Sequence, residues 1–382
     1  MNGTETLRPQ LDRVQRWSLI VGLAGSALCL VGAFRDPGQF FRSYLLAYVF
    51  WISIALGSTA IVMLHYLVGG RWGFVIRRLL ESATRTLPLM AVLMLPLLFG
   101  LRELYVWARP EAAADHELEH KALYLNIPFF VGRTIVYFGA WLAIAYFLNK
   151  WSSEQDQTAE PSLMRRLQVL SGPGLLLWGL TVTFASVDWV MSLEPHWFST
   201  IYGMLFMVGQ VLTTLAFVIA VLMLLSGHKP LSDVITPGHF HDLGNLLFAF
   251  VILWAYIAFS QFLIIWSGNL PEEVPWYLSR VRGGWLWVAL LLLIFHFFLP
   301  FLLLLSRDVK RRMRVLAKLA AALIVLRLVD LFWIIAPAFH PKGLSLHWLD
   351  AMAPLGLGGI WIAVFVWQLK GRPLLPLHDP RF

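Results

Sequence analysis

Long apolar runs separated by short polar connections make up most of the 382-residue chain. Runs long enough to cross about 30 Å of hydrocarbon fall at 17–34, 43–69, 86–102, 127–148, 170–191, 197–225, 243–267, 284–305, 314–336 and 350–369. The pattern predicts an all-α integral membrane protein with ten transmembrane helices in a single polytopic domain, 1–382. The second, sixth and seventh runs are longer than a crossing requires, so they tilt or protrude. No run alternates polar and apolar with period two, which argues against a β-barrel. The first run is longer than a signal-peptide core and lacks an A-x-A site. Ser26-Ala27-Leu28-Cys29 places bulky Leu28 where lipoprotein cleavage wants a small residue, so the run is expected to be a retained helix.

The distribution of Lys and Arg orients these spans. Nineteen of the thirty lie on one side: the N-terminal segment (Arg8, Arg13, Arg16), the second and fourth connections, Lys229, the cluster from Arg307 to Arg314, and the tail with Lys370, Arg372 and Arg381. Eight lie on the other side, among them Arg42, Arg109, Lys121 and Arg280. Arg133, Lys318 and Arg327 fall within or at the edge of spans. The bias places both termini in the cytoplasm, which agrees with an even number of crossings.

Composition strengthens the reading. The chain is 59% hydrophobic and only 14% charged, where a soluble domain carries about a quarter. The +8 balance therefore reflects membrane sidedness rather than nucleic-acid binding. A lone cysteine, Cys29, excludes an internal disulfide, a C-x-x-C-H haem attachment and an all-cysteine iron–sulfur site. Abundant Trp near span ends (Trp17, Trp51, Trp72, Trp197, Trp276, Trp285) fits interfacial anchoring. The outer connections 103–126, which is acidic, and 268–283 are the largest exposed stretches on their side, each too small for a domain.

Titratable groups inside spans cost roughly 2.5–3.5 kcal/mol each on insertion scales, so their positions carry information. By depth they form a sparse ladder: Lys318 and His65 inward, His296 and Arg327 central, and Asp330, Arg133 and Asp188 outward. Such a series suits a proton path. The plainer reading is that Arg327–Asp330, three apart on one helix face, and Arg133–Asp188 are structural pairs. Lys318 is about half a turn out of phase with Arg327, so it faces elsewhere or snorkels. Glu194, Pro195 and His196 form a short connection, with Pro195 suited to the first turn of span six. Asp188, at the end of span five, needs a partner or a proton. His65 and His296 differ in depth, which disfavours a haem held between them. No Gly-rich phosphate loop or Ser-His-Asp arrangement is evident, and no metal site is expected.

The block Asp188-Trp189-Val190-Met191-Ser192-Leu193-Glu194-Pro195-His196-Trp197-Phe198-Ser199-Thr200 resembles the D-W-x-M-S-L-E-P-H-W-[FY]-S-T signature of the large membrane subunits of bacterial alternative complex III, a quinol:electron-acceptor oxidoreductase. Leu243–Leu247, Trp254–Tyr256, Phe259–Phe262 and Trp266–Glu273 are also similar. Length and the later blocks resemble the F subunit, the "quinone-binding" one, more than the longer C subunit. Both are related to the polysulfide-reductase membrane anchor.

The resemblance implies two four-helix bundles, spans two to five and six to nine, flanked by spans one and ten. It also implies a bacterial inner-membrane location and electron-transport partners: a sister ten-helix C subunit, a periplasmic iron–sulfur subunit, haem-c subunits, small membrane subunits and lipids. Haem c and iron–sulfur clusters then belong to other chains, and this chain binds no cofactor covalently. The leading expectation is a structural subunit without its own redox centre that conducts protons through His65, Asp188, His296, Lys318, Arg327 and Asp330. The alternative is a quinone (menaquinone) site near the outer side, built from Arg133, Asp188, Glu194 and His196. A third, from another class, is a secondary anion transporter.

Overall fold

The computed structural model describes residues 7–158, 160–377 and 379. Arg381, assigned above to the basic tail, lies outside the described residues. The described chain is all-helical, with no strand among the described residues. Ten helices are long and apolar enough to cross a membrane: α1 Arg8–Arg35, α2 Pro37–Val68, α3 Arg71–Phe99, α4 Ile127–Thr158, α5 Pro161–Leu193, α6 Tyr202–Leu225, α7 Pro237–Gly268, α8 Trp285–Leu305, α9 Met313–Ala338 and α10 Trp348–Lys370. This is a multi-pass membrane protein.

Local chemistry sets the helix ends. Asp36 accepts from the Gln39 backbone N–H to start α2, and His347 and Asp350 cap α10 reciprocally. Pro37, Pro161 and Pro237 occupy first-turn positions whose N–H groups would lack partners anyway. α3 is broken at Arg85–Thr86, between segments Arg71–Thr84 and Leu87–Phe99. α8 contains a wider π-helical stretch, Leu292–Phe298, around His296. Pro300 follows it after one intervening residue, and it cannot donate to the carbonyl four residues back, that of His296.

Burial separates centre from rim. The apolar window of α2 is 94% buried and that of α6 78%, against 22% for α1 and for α8. α2 packs on α3, α5, α6 and α10, while α6 also packs on α5, α7 and α9. α1 packs mainly on α10, through glycines. A Cβ on Gly359 would lie 2.3 Å from the Gly22 backbone N, and one on Gly25 would lie 2.7 Å from Gly356 Cα. Main chain meets main chain there, the close approach that small residues allow in lipid.

Several expected boundaries shift. α3 begins at Arg71 rather than 86, and α4 runs to Thr158 rather than 148. A hydropathy window finds the hydrocarbon slab, whereas the helix continues wherever its face stays buried. α6 begins at Tyr202, not near Pro195, which is buried in a longer connection. Side-chain contacts rather than helix propensity hold that connection. Trp197, Trp276 and Trp285 are buried, so they pack inside and are not interfacial anchors; Trp17 is exposed.

Candidate functional site

Polar side chains collect in three buried groups. The first closes the ends of α4 and α5. Arg133 Nε and Nη2 donate to Asp188 Oδ2 and Oδ1 at 2.9 and 2.8 Å, and Tyr137 Oη donates to Oδ2 at 2.7 Å. The guanidinium also donates to the Tyr124 carbonyl at 3.0 Å and lies 3.8 Å from the Tyr124 ring centre. Asp188 is wholly buried. Burial, and then the Asp188 charge, push the Tyr124 phenol above its ordinary range, so it stays a neutral O–H. Arg133 and Asp188, expected from sequence to meet, thus form a bidentate pair.

The second group is a string through α6, α7, α8 and α9. Arg327 and Asp330 pair on one face of α9, both buried. The guanidinium fills the space beside Gly209 of α6, where a Cβ would lie 2.1 Å from Nη2. Arg327 Nε and Nη2, both ring nitrogens of His296, Gln210 Oε1 and Trp254 Nε1 are buried without a hydrogen-bond partner among the described residues. The Trp254 and His296 rings meet edge-on, centroids 4.3 Å apart.

One turn beyond Asp330, the Ile334 carbonyl accepts from Arg280 Nη2 at 2.7 Å. Arg280 binds Glu194 through Nη2 at 2.6 Å and Nη1 at 3.3 Å. It lies 3.6 Å from the Trp276 ring centre, and Trp276 stacks on Trp197 at 4.6 Å. Polar groups therefore continue from the middle of α9 to the partly exposed Glu194 carboxylate. Beside this string, Ser199 Oγ donates to Gln261 at 3.0 Å, anchoring the connection before α6 to α7.

The third group lies at the Lys/Arg-rich end. Glu81 of α3 is buried among Arg78 at 2.6 Å, Arg372 at 3.0 Å, Ser152 at 2.6 Å, Tyr66 at 3.2 Å and Arg77 at 3.5 Å. Arg78 also pairs with Asp156, and Arg77 with Asp379 at 2.6 Å. Arg77, Arg78 and Arg372 face Glu81, Asp156 and Asp379, so the formal charges balance. A buried group of six charges is tolerable only when paired in this way.

The structure brings together part of the expected ladder. His296, Arg327 and Asp330 share the second group, and Arg133 and Asp188 the first. His65 is buried elsewhere, its Nδ1 in the space above Gly73, with its ring 5.5 Å from that of Trp72. Lys318 does not join the set; it is exposed on the outside of α9. His196 is half exposed and meets Glu117 at 2.8 Å and Asp115 at 3.2 Å in the acidic outer connection. The sequence reading missed Glu81, Arg77, Arg78, Arg280 and Arg372. The Arg77/Glu81 and Arg78/Glu81 spacings of four and three would have signalled a helix face.

No cluster of metal-ligating residues occurs among the described residues. At Asp188 both carboxylate oxygens accept hydrogen bonds, Oδ1 from Arg133 and Oδ2 from Arg133 and Tyr137. No protein-family model matches the chain, and comparison with curated proteins finds no match. The resemblance of residues 188–200 to alternative complex III subunits therefore rests on those residues themselves.

Proposed function

We propose that the chain is an integral subunit of a quinol-oxidising respiratory complex of the alternative complex III type, in the bacterial cytoplasmic membrane. In this reading it has no redox centre of its own. The sister C subunit, the iron–sulfur subunit and the haem-c subunits carry electron transfer, with small membrane subunits and lipids around them. Two four-helix bundles, α2–α5 and α6–α9, are flanked by α1 and α10, and the Lys/Arg-rich end is cytoplasmic. Packing of α2 and α6 on their own bundle members and on each other supports this arrangement.

The observation that carries the functional part is the string from His296 through Arg327 and Asp330 to Arg280 and Glu194. Several of its buried atoms lack partners among the described residues, and leaving a polar group dry costs about 1–3 kcal/mol. Water completing those bonds would join His296 to the surface at Glu194, and such a hydrogen-bonded file can pass protons. The π-helical turn at His296 is a further sign of function, since such turns cluster at functional sites. At His296 both ring nitrogens lack a partner among the described residues, whereas both carboxylate oxygens of Asp188 are hydrogen-bonded within the protein. The burial of Asp188 and its pairing with Arg133 also weigh against the quinone alternative there.

The test is proton translocation by the reconstituted complex. Asp330→Asn and Glu194→Gln are expected to lower the H⁺/e⁻ ratio while electron transfer and subunit composition are kept. An unchanged ratio in both variants removes the proton role.

A further inference from the structure

At the basic ends of α4 and α5 lies an open cleft of about 510 Å³ that none of the three buried groups uses. Trp151 of α4 forms one side. Ser162, Arg165, Arg166, Val169, Leu170 and Pro173 form the other, a single stripe along α5 at helical spacing. The stripe changes character with depth: a hydroxyl and two guanidiniums at the mouth, then aliphatic side chains toward the middle of the helix. Val169 is 66% exposed, an apolar wall open to whatever fills the cleft.

The two arginines differ from those inside the bundle. Arg77, Arg78, Arg133, Arg280, Arg327 and Arg372 each pair with a carboxylate. Arg165 and Arg166 have no ion pair or hydrogen bond among the described residues. The nearby Glu160 accepts from Ser162. Two unpaired guanidiniums above an apolar groove, beside an indole, at the basic end of a membrane protein match one amphiphile, with a phosphate at its head and hydrocarbon behind it. A free inorganic anion would use the mouth and leave the wall bare. A neutral lipid would leave the guanidiniums without a counter-charge.

We propose that this cleft seats one anionic phospholipid from the leaflet at the Lys/Arg-rich end. Its phosphate lies on Arg165 and Arg166, and an acyl chain runs along Val169, Leu170 and Pro173. The proposal stands on the charge and shape of the cleft and does not require the respiratory reading.

The experiment is native mass spectrometry of the purified protein, equilibrated in mixed micelles with equal phosphatidylglycerol and phosphatidylcholine. One phosphatidylglycerol is expected to be retained in preference to phosphatidylcholine. Each basic side chain at a membrane surface favours an anionic headgroup about fivefold, so the double variant R165Q/R166Q should lose that lipid by roughly thirtyfold. Val169→Trp keeps both charges but fills the apolar wall, and it should lose the lipid too. All three altered side chains are exposed, so the variants are expected to fold. Equal retention of the two lipids by the unaltered protein overturns the proposal, as does retention by R165Q/R166Q. Retention by V169W, or displacement by millimolar inorganic phosphate, shows an anion contact without a seated chain and overturns it as well.

Discussion

Asp188 and Arg133 show how one buried pair governs its surroundings. The carboxylate sits at zero exposure with three donors on two oxygens. Removing one member of a buried pair leaves an uncompensated charge, which costs about 3–5 kcal/mol, whereas replacing both with apolar groups is often close to neutral. Asp188→Asn should therefore destabilise strongly, and R133L/D188L should recover most of the loss. Denaturant unfolding in detergent, arranged as a double-mutant cycle, measures this. Additive effects in the cycle would mean the two side chains stabilise independently. This pair was legible in the sequence, because an acid and a base at matching depths on successive spans have few other solutions. Arg280 and Glu194 were not, since both lie in connections, and nothing in the spacing brings residues 86 apart in sequence together.

At the scale of elements, the ten crossings were legible because apolar length is a direct response to bilayer thickness. Helix ends were not. Arg77 and Arg78 read as loop charges, yet each is buried on a helix whose next turn supplies Glu81. The seam between α1 and α10 also escaped hydropathy, which registers glycine as neutral and is blind to contact. At Gly359 the neighbouring atoms are Gly22 main chain and the Ser18 carbonyl, at 2.3–2.5 Å from an added Cβ, so nothing flexible can give way. Gly359→Val should force α1 from α10. Overpacking of this kind costs about 1–3 kcal/mol, visible as a lower melting temperature and as faster proteolysis of α1. A melting temperature equal to that of the unaltered protein would show that the seam yields freely.

For the whole molecule, the decisive quantity is which ends of the helices share a side. Arg109 and Arg311 are both exposed, on connections separated by an odd number of crossings. Cysteines introduced at those positions should react with an impermeant maleimide from opposite faces of sealed vesicles. The native Cys29 is buried and should add little background. Labelling of both from one face would contradict the ten-span order.

The Glu81 group has a consequence for biogenesis. Arg77 and Glu81 enter the bilayer early in synthesis, yet two of their neighbours, Arg372 and Asp379, lie about three hundred residues further along the chain. Until those emerge from the ribosome, the end of α3 must stay hydrated or be shielded by insertion machinery. Nascent chains halted after α10 but before Arg372 should consequently be the forms that membrane quality-control proteases recognise and clear.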